Sequence, residues 1–342
     1  MSNQVTIRTI SEKTKFSLTT VSRVLNGTSD KYRISKTTQD LVMAEASRLG
    51  YIPNMAAKTL RSNKSNTIGL IVPSLNNPFF STLASTMAKI LFSHSYVVMM
   101  SDCDNNEKEE KKIIQSLLSQ NLLGIIVIPT SSKRNYDILN SVNKPTVFID
   151  RYFSEMNFFA VASNHYKSSM KLMDYLVSMG HKKIACIQGD EMVISNQLRT
   201  EAYNDAISKY NFSYQYLGGN SFTAEKGYLE MKLLLNKKER PTAVLALSDT
   251  ILIGVLKAVK EAGLVVPNDL SIVSIDNSTY LDYLETPITS IDQPVLQIAE
   301  LAIDLLISQI KKSARLSHLD EDKLILLDSN LIIRSSVLDL NN

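Results

Sequence analysis

The 342 residues contain no tryptophan, 2 cysteines and 4 histidines. Cys103 and Cys186 stand far apart in apolar, strand-like sequence, which excludes a disulfide framework and reads as two reduced, buried thiols. His94, His165, His181 and His318 show no metal-ligand spacing, so no metal is expected. Gly180-His181 reads instead as a helix C-cap with a cation suited to the helix dipole. No apolar run approaches the roughly 20 residues of a bilayer span, and no membrane partner is expected. A glycine-rich phosphate loop and a nucleophile elbow are missing too. The carboxylate pair Glu109-Glu110 sits beside Lys111-Lys112 and reads as a solvated helix face. Together these absences leave no acid/base constellation, so we expect neither an enzyme nor a cofactor. Met1-Ser2-Asn3-Gln4 offers neither the charged start nor the apolar centre of a secretory signal, and the expectation is a cytoplasmic protein.

What is present is unevenly placed. An apolar fraction of 44% over this length is ample for a buried core and too much for a single one, so two or three domains are expected. Residues 1–65 hold 11 Lys and Arg against 4 Asp and Glu, a net +7, whereas the remainder holds 26 against 30, a net −4. A polyanion would therefore meet the amino-terminal end.

That end carries a helical pattern. Thr6 is a plausible N-cap for a helix burying Ile7 and Ile10, and Lys15-Phe16-Ser17 turns the chain into a second helix. In residues 17–26, Val21, Val24 and Leu25 recur on one face, with Leu18, Thr19, Ser22 and Arg23 on the other. Two short helices this close make a helix-turn-helix whose second member can reach base edges. A third helix begins at Ser35, carries Val42, Ala46 and Leu49, and stops at Gly50. The turn or two of helix in residues 51–62 is too short to stand alone in water and needs a partner to order it.

Residues 17–26, Ile34-Ser35-Lys36-Thr37-Thr38 and Leu49-Gly50-Tyr51-Ile52-Pro53-Asn54 resemble the head-piece of the lactose/galactose repressor (LacI/GalR) family, and the resemblance runs to the carboxy terminus. It implies that Leu18, Thr19 and Arg23 read bases in the major groove of operator DNA. By the same resemblance Thr6, Ser17, Thr20, Ser22 and Asn26 meet phosphates. Leu60, with Ala57 beside it and Asn54 upstream, would wedge into the minor groove at the centre of a palindrome. The family commonly has glycine where this chain has Lys15. A non-glycine residue at positive φ costs on the order of 1 kcal/mol, so a slightly altered turn is expected there.

From residue 67 the pattern alternates between apolar strands and amphipathic helices, with strands at 67–72, 97–101, 124–128 and 146–149 and again at 183–187, 243–247 and 271–275. Uninterrupted apolar runs between helices indicate parallel strands buried on both faces, in two doubly wound halves. Ligands of such sheets bind beyond the strand carboxyl ends. Polar groups gather there, together with Arg199, read as opening a helix, and Gln293, read as lying where the chain recrosses between halves. Carboxylates, amides and arginines serve several hydroxyls at once, and aromatic rings cover a sugar's apolar face, so the ligand reads as polyhydroxylated.

Here the sequence is similar to the family's effector domains and to ribose-type periplasmic binding proteins. That similarity implies that Asn77, Phe79, Phe80, Asp150, Arg151, Arg199, Phe222, Ser248, Asp276 and Gln293 surround a monosaccharide, first of all ribose or another pentose. Ser248 stands where the ribose-type pattern has asparagine, and Asn164-His165 where relatives have Asp-Asn. The expected fold is α/β, with a three-helix DNA-binding domain at 1–52, a hinge helix and linker at 53–65, and an effector-binding and dimerisation domain at 66–342. This last domain divides into 66–163 with 293–327 and 164–292 with 328–342, a periplasmic-binding-protein-like pair of parallel sheets. Only residues 335–342 follow the final strand, leaving no leucine-heptad tail, so a homodimer on pseudo-palindromic DNA is expected. Sugar binding would close the halves and release the operator. The rival readings are a regulator tightened by a co-repressor or phosphocarrier protein, and a sugar-binding transport protein.

Overall fold

The computed structural model describes residues 5–51, 65–130, 133–153, 157–312 and 323–341. Two compact units meet between Ser65 and Asn66. Asn54, Ala57 and Leu60, and with them the expected hinge helix, lie outside the described residues.

The first unit holds α1 (Ile7–Thr14), α2 (Leu18–Leu25) and α3 (Lys36–Arg48). Each helix starts on a hydroxyl cap: Thr6 forms a reciprocal box with Thr9, Ser17 receives Thr20 N–H, and Ser35 receives Thr38 N–H. Ile10, Val21, Val24, Val42 and Ala46 close a small core. Lys15 takes φ 60° and ψ 16°, left-handed backbone at a non-glycine residue. The residue is held there because Ser11 Oγ donates to Phe16 O at 2.6 Å across the turn.

The second unit is built on two six-stranded sheets. In the first, β1 (Thr67–Val72), β2 (Val97–Asp102), β3 (Gly124–Val127), β4 (Thr146–Ile149), β5 (Phe159–Ser163) and β11 (Leu324–Leu327) lie in the order β11-β5-β4-β3-β1-β2, all parallel. In the second, β6 (Ile184–Ile187), β7 (Tyr216–Gly218), β8 (Ala243–Ala246), β9 (Ser271–Ile275), β10 (Thr289–Asp292) and β12 (Asn330–Ile332) run β12-β10-β9-β8-β6-β7. Here β12 alone is antiparallel, paired to β10. The chain thus passes between the sheets after β5, after β10 and after β11.

Covering the first sheet are α4 (Pro78–Ser93), α5 (Glu107–Ser119), α6 (Asp137–Ser141) and α11 (Val295–Ile310), while α7 (His165–Ser178), α8 (Ile194–Lys209), α9 (Ala224–Leu235) and α10 (Asp249–Glu261) cover the second. Gly227 and Gly254 let α9 and α10 touch: a Cβ on Gly254 would lie 1.9 Å from Ala224 O, and one on Gly227 2.3 Å from Ile251 O.

Four local expectations change. β2 is an edge strand whose Val97, Met99 and Met100 face solvent, so it is not buried on both faces. Arg199 lies in the second turn of α8, which begins at Ile194. Glu110 is not a solvated-face carboxylate; it is fully buried and accepts from Tyr136 Oη, from Thr130 N at 2.7 Å and from Asn135 Nδ2 at 3.1 Å. His181 is buried between Thr242 Oγ1 and Leu338 O, and burial lowers its basicity, so it is neutral rather than a cation for the helix end.

Candidate DNA-reading face and effector cavity

On the first unit, the exposed side of α2 carries Ser17, Leu18 and Thr19, with Thr20 and Arg23 half-buried and Asn26 exposed at its end; Thr6 is exposed at the start of α1. Leu18 is 50% exposed, an apolar side chain left in water on an otherwise polar helix face. The Arg23 guanidinium carbon lies 3.7 Å from the centre of the Tyr32 ring, an aromatic shelf that limits where the arginine can point. Tyr32 follows no helical repeat, and nothing in the sequence marks it. Ser22 departs from the expected arrangement. It is buried, its Oγ accepting from Asn26 Nδ2 at 3.2 Å, and so is turned away from a phosphate.

In the second unit, the strand carboxyl ends of the two sheets enclose a cavity of about 410 Å³. Asn77, Phe79, Phe80, Asp150, Arg151, Arg199, Phe222, Ser248 and Asp276 all line it. Gln293 does not. It borders an adjoining cavity of about 360 Å³ that shares Phe79 and Asp276, and its Nε2 donates to Asp276 Oδ1 at 2.5 Å.

Local sequence explains the placement. Asn77 caps α4 by accepting from Phe79 N and Phe80 N, with Pro78 pre-set at the first helical position, so both rings are delivered into the cavity by one helix start. Ser248 caps α10 in the same way through Ile251 N. Two of the polar lining residues therefore also hold helices in place. Asp150 follows β4 at φ 63° and Asp276 follows β9 at φ 72°, two aspartates in left-handed backbone at matching points of the two halves. Such conformations cost on the order of 1–3 kcal/mol and mark functional sites. The Arg151 guanidinium carbon lies 5.1 Å from the Phe80 ring centre and 5.9 Å from that of Phe222, so one arginine spans rings from both halves.

Phe222 needs Gly189, whose Cβ would fall 2.4 Å from the ring. Asn196 shapes that turn by accepting from Gly189 N at 2.8 Å and donating to Gln188 Oε1 at 3.0 Å. The lining residues Asp104 and Asn105, after β2, and Ser195, one turn before Arg199, were not singled out from sequence. The strand-end rule applied to β2, and the true start of α8, identify them.

Charges and hydrogen bonds are unevenly satisfied. Arg151 Nη1 donates to Pro129 O at 3.0 Å and Arg199 Nη1 to Leu247 O at 2.8 Å. Among the described residues no hydrogen-bond partner meets Arg151 Nε, Arg199 Nε, Asp150 Oδ1 or Gln293 Oε1, although all are buried. Burial, reinforced by neighbouring Asp249, pushes the Asp276 carboxyl up to about 7. Asp150, Arg151 and Arg199 share the cavity lining with three phenyl rings, which suits a ligand carrying hydroxyls on one side and C–H groups on another. Among the described residues no group of His, Cys, Asp and Glu could hold a metal ion, and no helix is long and apolar enough to cross a membrane.

Comparison with known proteins places both units. Residues 6–54 match the model for bacterial regulatory proteins of the lacI family, and residues 173–337 that for a periplasmic binding protein-like domain. Over 97% of this chain and 96% of the relative, 30% of residues are identical to the HTH-type transcriptional repressor CytR of Escherichia coli K12. The ribose operon repressor of Haemophilus influenzae is 28% identical over 98% of this chain and 99% of its own. Among solved structures, the Lac repressor dimer bound to operator superposes with TM-score 0.87 over 98% of this chain and 100% of its own, at 24% identity, a likeness of fold. A LacI family regulator from Enterococcus faecium with bound ribose gives 0.70 over 80% of this chain and 99% of its own, at 25% identity. These relatives are named as transcriptional repressors and regulators, and with a helix-turn-helix unit followed by a two-sheet unit, this chain belongs to the lacI family of bacterial regulatory proteins.

Proposed function

We propose that the protein is a transcriptional repressor that grips a pseudo-palindromic operator as a homodimer and lets go when a monosaccharide, first of all ribose or another pentose, fills the cavity. The observation that carries the reading is the cavity lining, in which Asp150 and Arg151 of one half face Arg199, Ser248 and Asp276 of the other. Carboxylates, a hydroxyl and guanidinium groups converging from both halves can accept from and donate to several hydroxyls of a polyol at once. Phe79, Phe80 and Phe222 supply the apolar wall. Two relatives whose names mention ribose support the choice of sugar.

Leu18, Thr19 and Arg23 are the base-reading residues in this account, with Thr6, Ser17, Thr20 and Asn26 at phosphates. Ser22 contributes by holding Asn26, and the wedge is assigned to Leu60. The homodimer is supported by the apolar edge of β2, where Val97, Met99 and Met100, with nearby Phe92, are exposed and suited to burial against a second copy.

Two experiments test this. Selection from random duplexes with the full chain is expected to return a pseudo-palindrome, with Arg23→Ala relaxing the preference at one position per half-site; a preference unchanged by Arg23→Ala removes the assigned reading role. Thermal melting against pentoses, hexoses and their phosphates is expected to show a rise for a neutral pentose, about 2.7 kcal/mol of added stability at a hundred times Kd. No rise with any neutral sugar rejects the cavity's assignment.

A further inference from the structure

His165 opens α7 directly after the passage between sheets, is 1% exposed, and does not line the cavity. Its Nε2 lies 2.9 Å from Asp150 O and its Nδ1 3.4 Å from Arg199 Nη2. A carbonyl oxygen only accepts and a guanidinium only donates, so the ring carries its proton on Nε2 and offers a bare Nδ1 to the arginine. Burial, and then the adjacent Arg199, pull its basicity down to about 4, which keeps the ring neutral in that tautomer at neutral pH. The Asp150 carboxylate, 3.6 Å from Nε2, and Arg151 are the other charged groups around it.

Arg199 is then fixed at two corners, by Leu247 O on Nη1 and by His165 on Nη2, while Nε is left without a partner. We infer that His165 is a positioning residue of the effector site, holding Arg199 from behind through Nδ1, with Asp150 O fixing the ring's tautomer. It joins a strand of one sheet to a helix covering the other, so the arginine of one half is set by the backbone of its opposite half. The role rests on the proposed reading of the cavity as the effector site.

Two near-isosteres separate the two bonds. Asn places its carbonyl oxygen where Nδ1 stands and can still accept from Arg199, whereas Gln places its amide nitrogen where Nε2 stands and keeps only the bond to Asp150. With the full chain and D-ribose as probe in calorimetric titration, His165→Asn is expected to bind within about threefold of the parent. His165→Gln is expected to bind about tenfold more weakly, a difference of about 1.4 kcal/mol. Parent-like affinity in His165→Gln, or equal losses in both variants at matched melting temperature, overturns the role. Nitrogen-15 spectra of the ligand-free chain, assigned by the signal missing in His165→Gln, provide a reading independent of any sugar. A protonated Nε2 with bare Nδ1 supports the geometry, and an Nδ1–H ring overturns it. A parent that shows the expected ring but binds no D-ribose rejects the choice of sugar and leaves the His165–Arg199 lock standing.

Discussion

Replacing Asp276 by Asn asks whether the cavity floor holds a carboxyl that resists ionisation. In the folded chain the group is buried, 5% exposed, beside Asp249, and its pKa is raised from 3.8 to about 7. Because the folded value lies above the unfolded one, the folded chain binds the extra proton between those limits, and stability falls as pH rises through that window. The loss is absent below about pH 4, grows at roughly 1.4 kcal/mol per pH unit and levels off above about pH 7, reaching about 4 kcal/mol. Asp276→Asn removes it. Its carbonyl can still accept from Gln293 Nε2, and asparagine tolerates the left-handed backbone at φ 72°. The variant is therefore expected to be more stable than the parent, with a margin that widens by about 2 kcal/mol between pH 5 and pH 7 and levels off towards pH 8. Urea unfolding followed by circular dichroism at each pH measures this. A margin independent of pH, or a variant less stable at pH 8, refutes the argument that burial keeps this carboxyl protonated.

Other predictions follow from single contacts. Glu110→Ala takes the acceptor from Tyr136 Oη and Thr130 N–H and leaves Asn135 Nδ2 with Glu107 O alone, so the denaturation midpoint should drop by the equivalent of about 3–5 kcal/mol at unchanged slope. Ser17→Ala removes the α2 cap and should cost about 1 kcal/mol, read as faster hydrogen exchange of the first α2 amides. Ser17→Asp keeps the cap but sets an anion towards phosphate, so it should fold normally and bind the operator poorly. Gly189→Ala brings a methyl group to 2.4 Å from Phe222 and should turn that ring off the cavity wall, weakening D-ribose binding in a calorimetric titration by more than it lowers the melting temperature.

Periodicity made the large elements legible. The apolar runs at β1, β3, β4, β8 and β9 and the caps Thr6, Ser17 and Ser35 are visible as residues before any coordinates. Other strands of 3–5 residues, β5, β7, β10 and β11, were not singled out. Their strand character comes from neighbours in the sheet, a tertiary effect. The polar positions at strand ends showed where a cavity would form, because two facing sheets leave no other place for them. What linear reading lacked was the chemistry between distant segments. Glu110 looked like one more charge beside two lysines, yet it is held by residues 20–26 positions away. His165 looked like a scattered histidine, and only its approach to Asp150 O and Arg199 gives it a role.

The central claim is that cavity and DNA-reading face are linked, and one titration tests it most directly. Fluorescence anisotropy of a labelled duplex carrying the selected operator, with the full chain at fixed salt, follows operator affinity as D-ribose is added. Release is expected, with the operator Kd rising about 5- to 150-fold at saturating sugar, the usual range of coupling between two sites. An operator Kd that stays constant or falls, under conditions where calorimetry shows the sugar bound, contradicts the account.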